Sequence, residues 1–353
     1  MVKAREKREI RSLSLQELEK SIESLGEKPF RARQLYRWLW NKSVSSFDQM
    51  TDLSKPFRMR LEDIFTIRPL QVTRSQKSRD GTTKFAFSSF DKHLVEGVLI
   101  PAGQRTTACL SSQIGCPLNC SFCATGQIKY VRNLTAGEIM DQLRHIAQAA
   151  EDDSGRKLSN IVMMGMGEPL LNYDEVILAL DRISDRDGYG FSPRRITLST
   201  AGIAGMIRKL ADDRIPFQLA VSLHTANDTK RNRIMPVNKS NSLSALSPAI
   251  SYYYQKTGSR ISYEYLMLRD FNDSLPDAES LADFCRISPC KINLIEYNQV
   301  PGNPFEGSDT YRINKFRQYL ERKNLIVNIR RSKGVDIAAA CGQLAGRLTG
   351  DQG

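Results

Sequence analysis

Thr106–Cys123 reads TTACLSSQIGCPLNCSFC, and within it Cys116, Cys120 and Cys123 follow a C-x3-C-x2-C spacing just after a short β-type run. Three thiolates so spaced can hold three irons of a four-iron cluster. Iron–sulfur clusters usually take four cysteine ligands, so a tight triplet without a nearby fourth leaves one iron open to a ligand that is not protein. A structural zinc is the alternative. It wants a closed tetrahedral set, most naturally a second C-x2-C pair or a histidine at finger spacing. Cys285 and Cys290 are too widely spaced for such a pair, whereas Cys109 stays available as a fourth zinc ligand.

From this stretch onward, β-type runs alternate with helix-length amphipathic stretches: Thr106–Ser112, Asn160–Met166, Arg195–Thr200, Phe217–His224, Ile261–Leu268 and Lys291–Tyr297. Six strand and helix units predict an α/β fold whose parallel sheet curves into a partial barrel, with its chemistry at the C-terminal strand ends. Met163-Met164-Gly165-Met166-Gly167-Glu168-Pro169 ends the second strand. A glycine backbone there can approach a ligand closely, and Glu168 can accept from an ammonium or a ribose hydroxyl. Ser199 ends the third strand, Ser222, Leu223 and His224 the fourth, and Asn298 follows the sixth. Each alone reads equally as a satisfied strand-end residue; their recurrence at successive ends favours a shared rim.

Upstream the pattern changes. Ser14 and Glu17 fit a capping box that opens a helix toward Gly26, and Pro29 starts a second segment carrying Arg31, Arg33, Arg37, Trp38 and Trp40. Both tryptophans suit stacking on an unpaired base or packing of the helices. From Val72 to Pro101, short runs rich in Thr, Phe and Val surround Asp80-Gly81, a hairpin signal. The expected organisation is a basic, RNA-binding helical region over 1–70, a β linker element over 71–101 and a partial barrel over 102–349, with a C-terminal extension carrying Cys341.

Lys and Arg exceed Asp and Glu by 51 − 39 = 12 among 353 residues. That excess draws a polyanion, nucleic acid first, although basic proteins without an RNA substrate are common. Seven cysteines, an odd number, argue for thiol chemistry in a reducing compartment over a disulfide framework. No apolar run has the length of a signal peptide or a bilayer span, so a soluble cytoplasmic protein with no membrane partner is expected.

With Phe122 before its last cysteine, the triplet resembles the radical S-adenosylmethionine (SAM) superfamily, C-x3-C-x-aromatic-C. The resemblance implies a radical SAM partial (β/α)6 barrel, a [4Fe–4S] cluster on Cys116, Cys120 and Cys123, and SAM chelating the unique iron, to be cleaved to an adenosyl radical. Taken together, Cys109–Cys116, Cys120–Gly126, Gly167-Glu168-Pro169, Ser222-Leu223-His224 and Ala340-Cys341-Gly342-Gln343-Leu344 resemble the RlmN/Cfr family of RNA adenine methyltransferases. The similarity runs from about Leu13 to Leu348 and includes Lys28-Pro29-Phe30-Arg31. Glu168 followed by Pro169 resembles the RlmN branch, which implies methylation at C2 of an adenine in 23S rRNA and of an adenine in tRNA. The Cfr branch would imply C8. Ala338 stands where an acidic residue is common and Ala201 where a second serine is common; neither is a proposed catalytic group.

C2 of adenine is electrophilic, so attack by the base on a sulfonium methyl has no reasonable path and a radical route is needed. The resemblance implies two SAM per turnover. Cys341 takes a methyl group from the first, and the radical from the second turns that methyl into a carbon that adds to C2. Cys109 then releases the protein–RNA link, leaving a disulfide, while Glu96 accepts the C2 proton. SAM contacts are implied for Gly167, Glu168, Ser199, Ser222, Leu223, His224 and Asn298. Read without the resemblance, Glu96 is a solvent-facing strand residue, Cys341 an inert buried thiol, and Cys285 and Cys290 structural. The implied partners are rRNA, tRNA and an electron donor such as a flavodoxin or ferredoxin, with the chain acting as a monomer. The target base must leave its stack, which favours loop adenines.

Overall fold

The computed structural model describes residues 7–185 and 189–346, so the outer limits of the expected first and third regions, 1–6 and 347–349, lie outside the described residues. β1 (Arg8–Glu9) leads into three helices, α1 (Leu15–Ser24), α2 (Phe30–Trp40) and α3 (Lys55–Ile64), after which β2 (Phe65–Thr66) returns to pair with β1 in parallel. The first helix starts where the sequence places it: Ser14 Oγ accepts from the Glu17 amide and the Glu17 carboxylate accepts from the Ser14 amide. Leu18, Ile22, Leu35, Leu39, Trp40, Phe57 and Leu61 bury one face of each helix. Trp40 thus belongs to the core, and Trp38, half-buried, donates its indole N–H to Asp52 beneath the Lys42 ammonium. Packing takes up Trp40, while Trp38 keeps a partly exposed face. Arg11 anchors this unit to the rest: its buried guanidinium reaches both oxygens of Asp141 at 3.0 Å and the Gly137 carbonyl at 3.2 Å.

β3 (Gln71–Lys77), β4 (Thr83–Ser88) and β5 (Leu94–Ala102) form an antiparallel run around the Asp80-Gly81 turn, where Asp80 accepts from the Thr82 amide at 2.9 Å. β5 pairs antiparallel with β6 (Arg105–Cys109), setting Val98 opposite Cys109. The segment expected as a linker is therefore the antiparallel flank of the main sheet. After β6 come two short strands, β7 (Gln113–Ile114) and β8 (Arg132–Asn133), which pair with each other and bracket the cysteine loop.

Parallel strands then alternate with helices: α4 (Ala136–Ser154), β9 (Asn160–Met163), α5 (Tyr173–Ser184), β10 (Ile196–Thr200), α6 (Ala204–Asp212), β11 (Gln218–Ser222), α7 (Asp228–Ile234), α8 (Leu243–Thr257), β12 (Ile261–Met267), α9 (Leu275–Phe284), β13 (Cys290–Glu296), α10 (Thr310–Arg322) and β14 (Ile326–Arg330). Among the described residues the main sheet runs β14-β13-β12-β11-β10-β9-β6-β5-β4-β3, parallel from β14 through β6. Parallel strands covered by crossover helices are buried on both faces, which is why β12 is apolar nearly throughout and wholly buried. The six expected strands coincide with β6 and β9 to β13. β14 is an additional parallel strand that the sequence hides, because its five residues are interrupted by Asn328 and only partly buried.

Candidate active site

The C-terminal ends of all seven parallel strands meet around a cavity of about 260 Å3. Its wall holds Cys109 from β6, Gly165, Gly167 and Glu168 after β9, Ser199 from β10, Ser222 and His224 at the end of β11, Glu264 from β12 and Arg330 from β14. Cys116, Cys120, Cys123 and Cys341 complete the lining, Cys341 close enough to Cys123 for its charge to be felt there.

The cysteine loop is folded tightly on itself. The Cys123 amide donates to the Cys120 carbonyl at 3.2 Å and the Gly126 amide to the Cys123 carbonyl at 3.0 Å. Any Cβ at Gly126 would stand 2.6 Å from the Cys120 carbonyl oxygen, so only glycine allows that approach. Burial, then the charges of Cys123 and Glu168, pushes the Cys116 thiol up to about 12, against a hydrogen bond from the Leu118 amide. Burial, followed by the charges of Cys123, Cys116 and Glu168, likewise holds the Cys120 thiol well above its ordinary value. Three thiols in this state become thiolates only if a cationic centre compensates them, as an iron–sulfur cluster does. A zinc would draw its donors to within ~2.3 Å of one point. Among the described residues no three Cys, His, Asp or Glu side chains are grouped to hold a single ion, whereas a cluster takes each thiolate on a different iron. The donor set, three buried thiols in one tight loop, fits a cluster.

Beneath the loop lies Arg231, fully buried on α7, donating to the carbonyls of Ala201 at 2.6 Å and Leu223 at 3.2 Å and to Asn238 Oδ1 at 2.6 Å. Its charge partly offsets that of Cys120.

Glu168, in the same cavity wall, is buried, with Oε1 accepting from the Leu170 amide at 3.1 Å and Oε2 from the Ala201 amide at 2.7 Å. Desolvation outweighs those bonds and lifts its carboxyl to about 7. Gly167 has φ of 98°, and a Cβ there would meet Gln113 at 2.5 Å. His224 Nδ1 accepts from the Leu266 amide at 3.1 Å, which leaves the ring proton on Nε2. Burial, then the nearby Arg231, lowers its pKa to about 3, so the ring is neutral. Phe122 abuts it edge-on at 4.7 Å. Ser332 Oγ, in the same cavity wall, has no hydrogen-bond partner among the described residues and is free for a ligand.

Not every expected residue reaches the wall. Leu223 is wholly buried; its amide donates to the Glu264 carbonyl at 3.0 Å and its carbonyl accepts from Arg231 at 3.2 Å. Asn298 donates to the Cys341 carbonyl at 3.3 Å and so supports the segment that carries that thiol. Glu96 is neither solvent-facing nor at the wall. It is 1% exposed, pairs with Lys84 at 3.3 Å and accepts from the amides of Ala345 and Gly346, because the C-terminal segment folds back across β5.

Cys109 and Cys341 stand close enough that a charge on Cys341 is felt at Cys109, whose thiol is pushed up to about 12 by burial first and by Cys341 second. The Met164 amide and Arg330 oppose that shift. Cys341 is accessible from the cavity rather than inert and buried; desolvation raises its pKa and Arg330 again opposes. Arg330 and Glu264 were not among the expected site residues. Glu264, a carboxylate inside the apolar run of β12, was the available signal; Arg330 lies on the strand that the pattern concealed.

The ribosomal RNA large subunit methyltransferase N-terminal domain family matches residues 9–67, and the radical SAM superfamily matches residues 110–281. The chain is 51% identical over 336 residues to "Probable dual-specificity RNA methyltransferase RlmN" of Cytophaga hutchinsonii, spanning 95% of this chain and 92% of that one. It is 43% identical to the dual-specificity RNA methyltransferase RlmN of an Anaeromyxobacter species, over 96% and 90% of the two chains. The crystal structure of a radical SAM methyltransferase from Sphaerobacter thermophilus superposes with a TM-score of 0.90 at 40% identity, covering 96% of this chain and 100% of that one.

Proposed function

Because the chain belongs to the RlmN family of dual-specificity RNA methyltransferases, within the radical SAM superfamily, we propose that it methylates C2 of an adenine in 23S rRNA and an adenine in tRNA, with Cys341 as the methyl carrier. One observation carries this reading: the loop of Cys116, Cys120 and Cys123 shares its cavity with two further thiols, Cys109 and Cys341. Reductive cleavage of SAM needs the triplet alone. A second pair of thiols suits a carrier and the group that unloads it.

A [4Fe–4S] cluster and SAM, which the family employs, supply one-electron cleavage and the methyl groups when bound. Cys116, Cys120 and Cys123 would hold the cluster, and Glu168, Ser199, Ser222 and His224 would hold SAM, with Gly167 allowing its close approach. His224, kept neutral, offers an Nε2–H donor at every physiological pH. Cys341 holds the methyl group as a thioether; once that methyl has lost one hydrogen atom, its carbon bonds to C2 of the base, and C2 gives up its proton, for which the family match implies Glu96 as acceptor, and one electron, returned to the external redox partner. Cys109 loses its proton and attacks the Cys341 sulfur; the S–S bond forms as the S–C bond breaks, and the freed carbon takes up a proton. The resulting disulfide needs a two-electron reductant before the next turnover. Arg330, within electrostatic reach of both sulfurs, eases each deprotonation.

For RNA, Arg33 and Arg37 on α2 are exposed, and Phe90 stands out on the turn between β4 and β5 with the Arg68 guanidinium 4.4 Å from its ring. Such cationic and aromatic surface suits a structured loop. An electron donor such as a flavodoxin or ferredoxin, a monomeric state and a cytoplasmic location complete the reading; among the described residues no helix is long and apolar enough to cross a membrane.

The test is mass spectrometry of RNA adenines after incubation with anaerobically reconstituted protein, SAM and a reductant, for wild type and Cys341→Ala. Methylation at C2 that disappears in the variant is expected. Methylation at C8 would assign the Cfr reaction instead, and none with an intact cluster would overturn the RNA substrate.

A further inference from the structure

A buried charge pair holds down the C-terminal segment. Glu96 lies on β5 two residues from Val98, the cross-strand partner of Cys109, so the side chains of Glu96, Val98 and Cys109 share a face of the sheet. Its Oε2 accepts from the Ala345 amide at 2.8 Å and from the Gly346 amide at 3.1 Å. Its Oε1 stands 3.3 Å from Nζ of Lys84 on β4, and both side chains are almost fully buried. Lys84 Nζ also donates to the Ala338 carbonyl at 3.4 Å. The two ions therefore grip the segment on both sides of Cys341.

Between these grips the segment rests on the site itself. The Ala124 amide, next to Cys123, donates to the Gly342 carbonyl at 2.7 Å, and Thr125 Oγ1 donates to the Leu344 carbonyl at 2.6 Å. A lone carboxylate or ammonium is costly to bury, so each ion keeps the other inside, and the segment docks by supplying the remaining donors and acceptors. Removal of either ion leaves its partner uncompensated.

We propose that Glu96 and Lys84 act as a clasp, closing the C-terminal segment over the cavity so that Cys341 is held against the cysteine loop. The role assigned above to Cys341 as carrier gives the clasp its consequence, while the clasp itself is tested without turnover or RNA.

The test is amide hydrogen exchange of the full-length reconstituted protein, read by mass spectrometry over 338–346. The amides of Ala339 and Gln343 bond to Gly334 and Ala340 carbonyls and not to Glu96, so they report docking of the segment rather than the bond removed. In Glu96→Ala they should exchange roughly tenfold faster or more, with β12 unchanged. Lys84→Met should do the same, and the uncharged pair Glu96→Gln with Lys84→Met should restore much of the protection, which a general packing defect would not. Wild-type protection in Glu96→Ala, or acceleration of β12 together with the segment, would overturn the clasp. Absence of adenine methylation in the wild-type protein would instead strike the functional reading, which the exchange measurement does not use.

Discussion

Glu264 and Arg330 form an ion pair at 3.3 Å in the wall that carries Cys109 and Cys341, spanning β13, where Asn293 donates to the other Glu264 oxygen at 2.7 Å. The guanidinium favours the thiolate of both cysteines, and Glu264 works against it at Cys341. The pair thus holds a cation in place at the wall while tempering its field.

Arg330→Met should raise the pKa of both thiols. Each unit of increase cuts the thiolate fraction tenfold near neutral pH. Methyl loading of Cys341, followed by intact mass at a series of pH values, should fall roughly tenfold at pH 7.5 and recover as the pH rises. Arg330→Lys should retain most of the rate. A pH profile identical to wild type in the Met variant would remove Arg330 from this role.

Glu168 is a carboxyl whose pKa burial raises to about 7 from 4.5, so in the folded protein its proton is held more tightly than in the unfolded chain. Its contribution to stability is complete below pH 4.5 and is lost as the pH rises through about 7. Binding of an ammonium group wants the opposite, ionised form. SAM affinity measured by equilibrium dialysis should therefore weaken as the pH is lowered from 8 to 6, and Glu168→Gln should flatten that dependence.

Cys109→Ala should accumulate protein covalently joined to RNA, seen as a nuclease-sensitive band of slow mobility, since the other thiols lining the cavity beside Cys341 are those assigned to the cluster. Free variant protein turning over at the wild-type rate would show that another group releases the adduct.

Arg11→Ala should destabilise the protein by ~3–5 kcal/mol, because Asp141 is left charged and buried once its guanidinium partner is gone. The denaturation midpoint in urea reads this directly, and replacing both residues by apolar ones should recover much of the loss.

Short-range physics made much of this protein legible in its sequence. Ser14 and Glu17 cap α1 because the two groups lie three residues apart, and Thr106, Asn160, Arg195, Phe217, Ile261 and Lys291 each open a stretch whose apolar run matches a parallel strand. Cys116, Cys120 and Cys123 share a loop because their spacing leaves little alternative. The tertiary structure alone decided what depends on distant partners. Glu96 reads as an exposed strand residue until Ala345 and Gly346, some 250 positions away, reach its carboxylate. Arg330 becomes a site residue because β14 joins the sheet beside β13, and Trp40 becomes core because three helices close over it. Periodicity, caps and ligand spacing are set by neighbours along the chain; burial of a charge and the company it keeps are set by which remote segment folds against it.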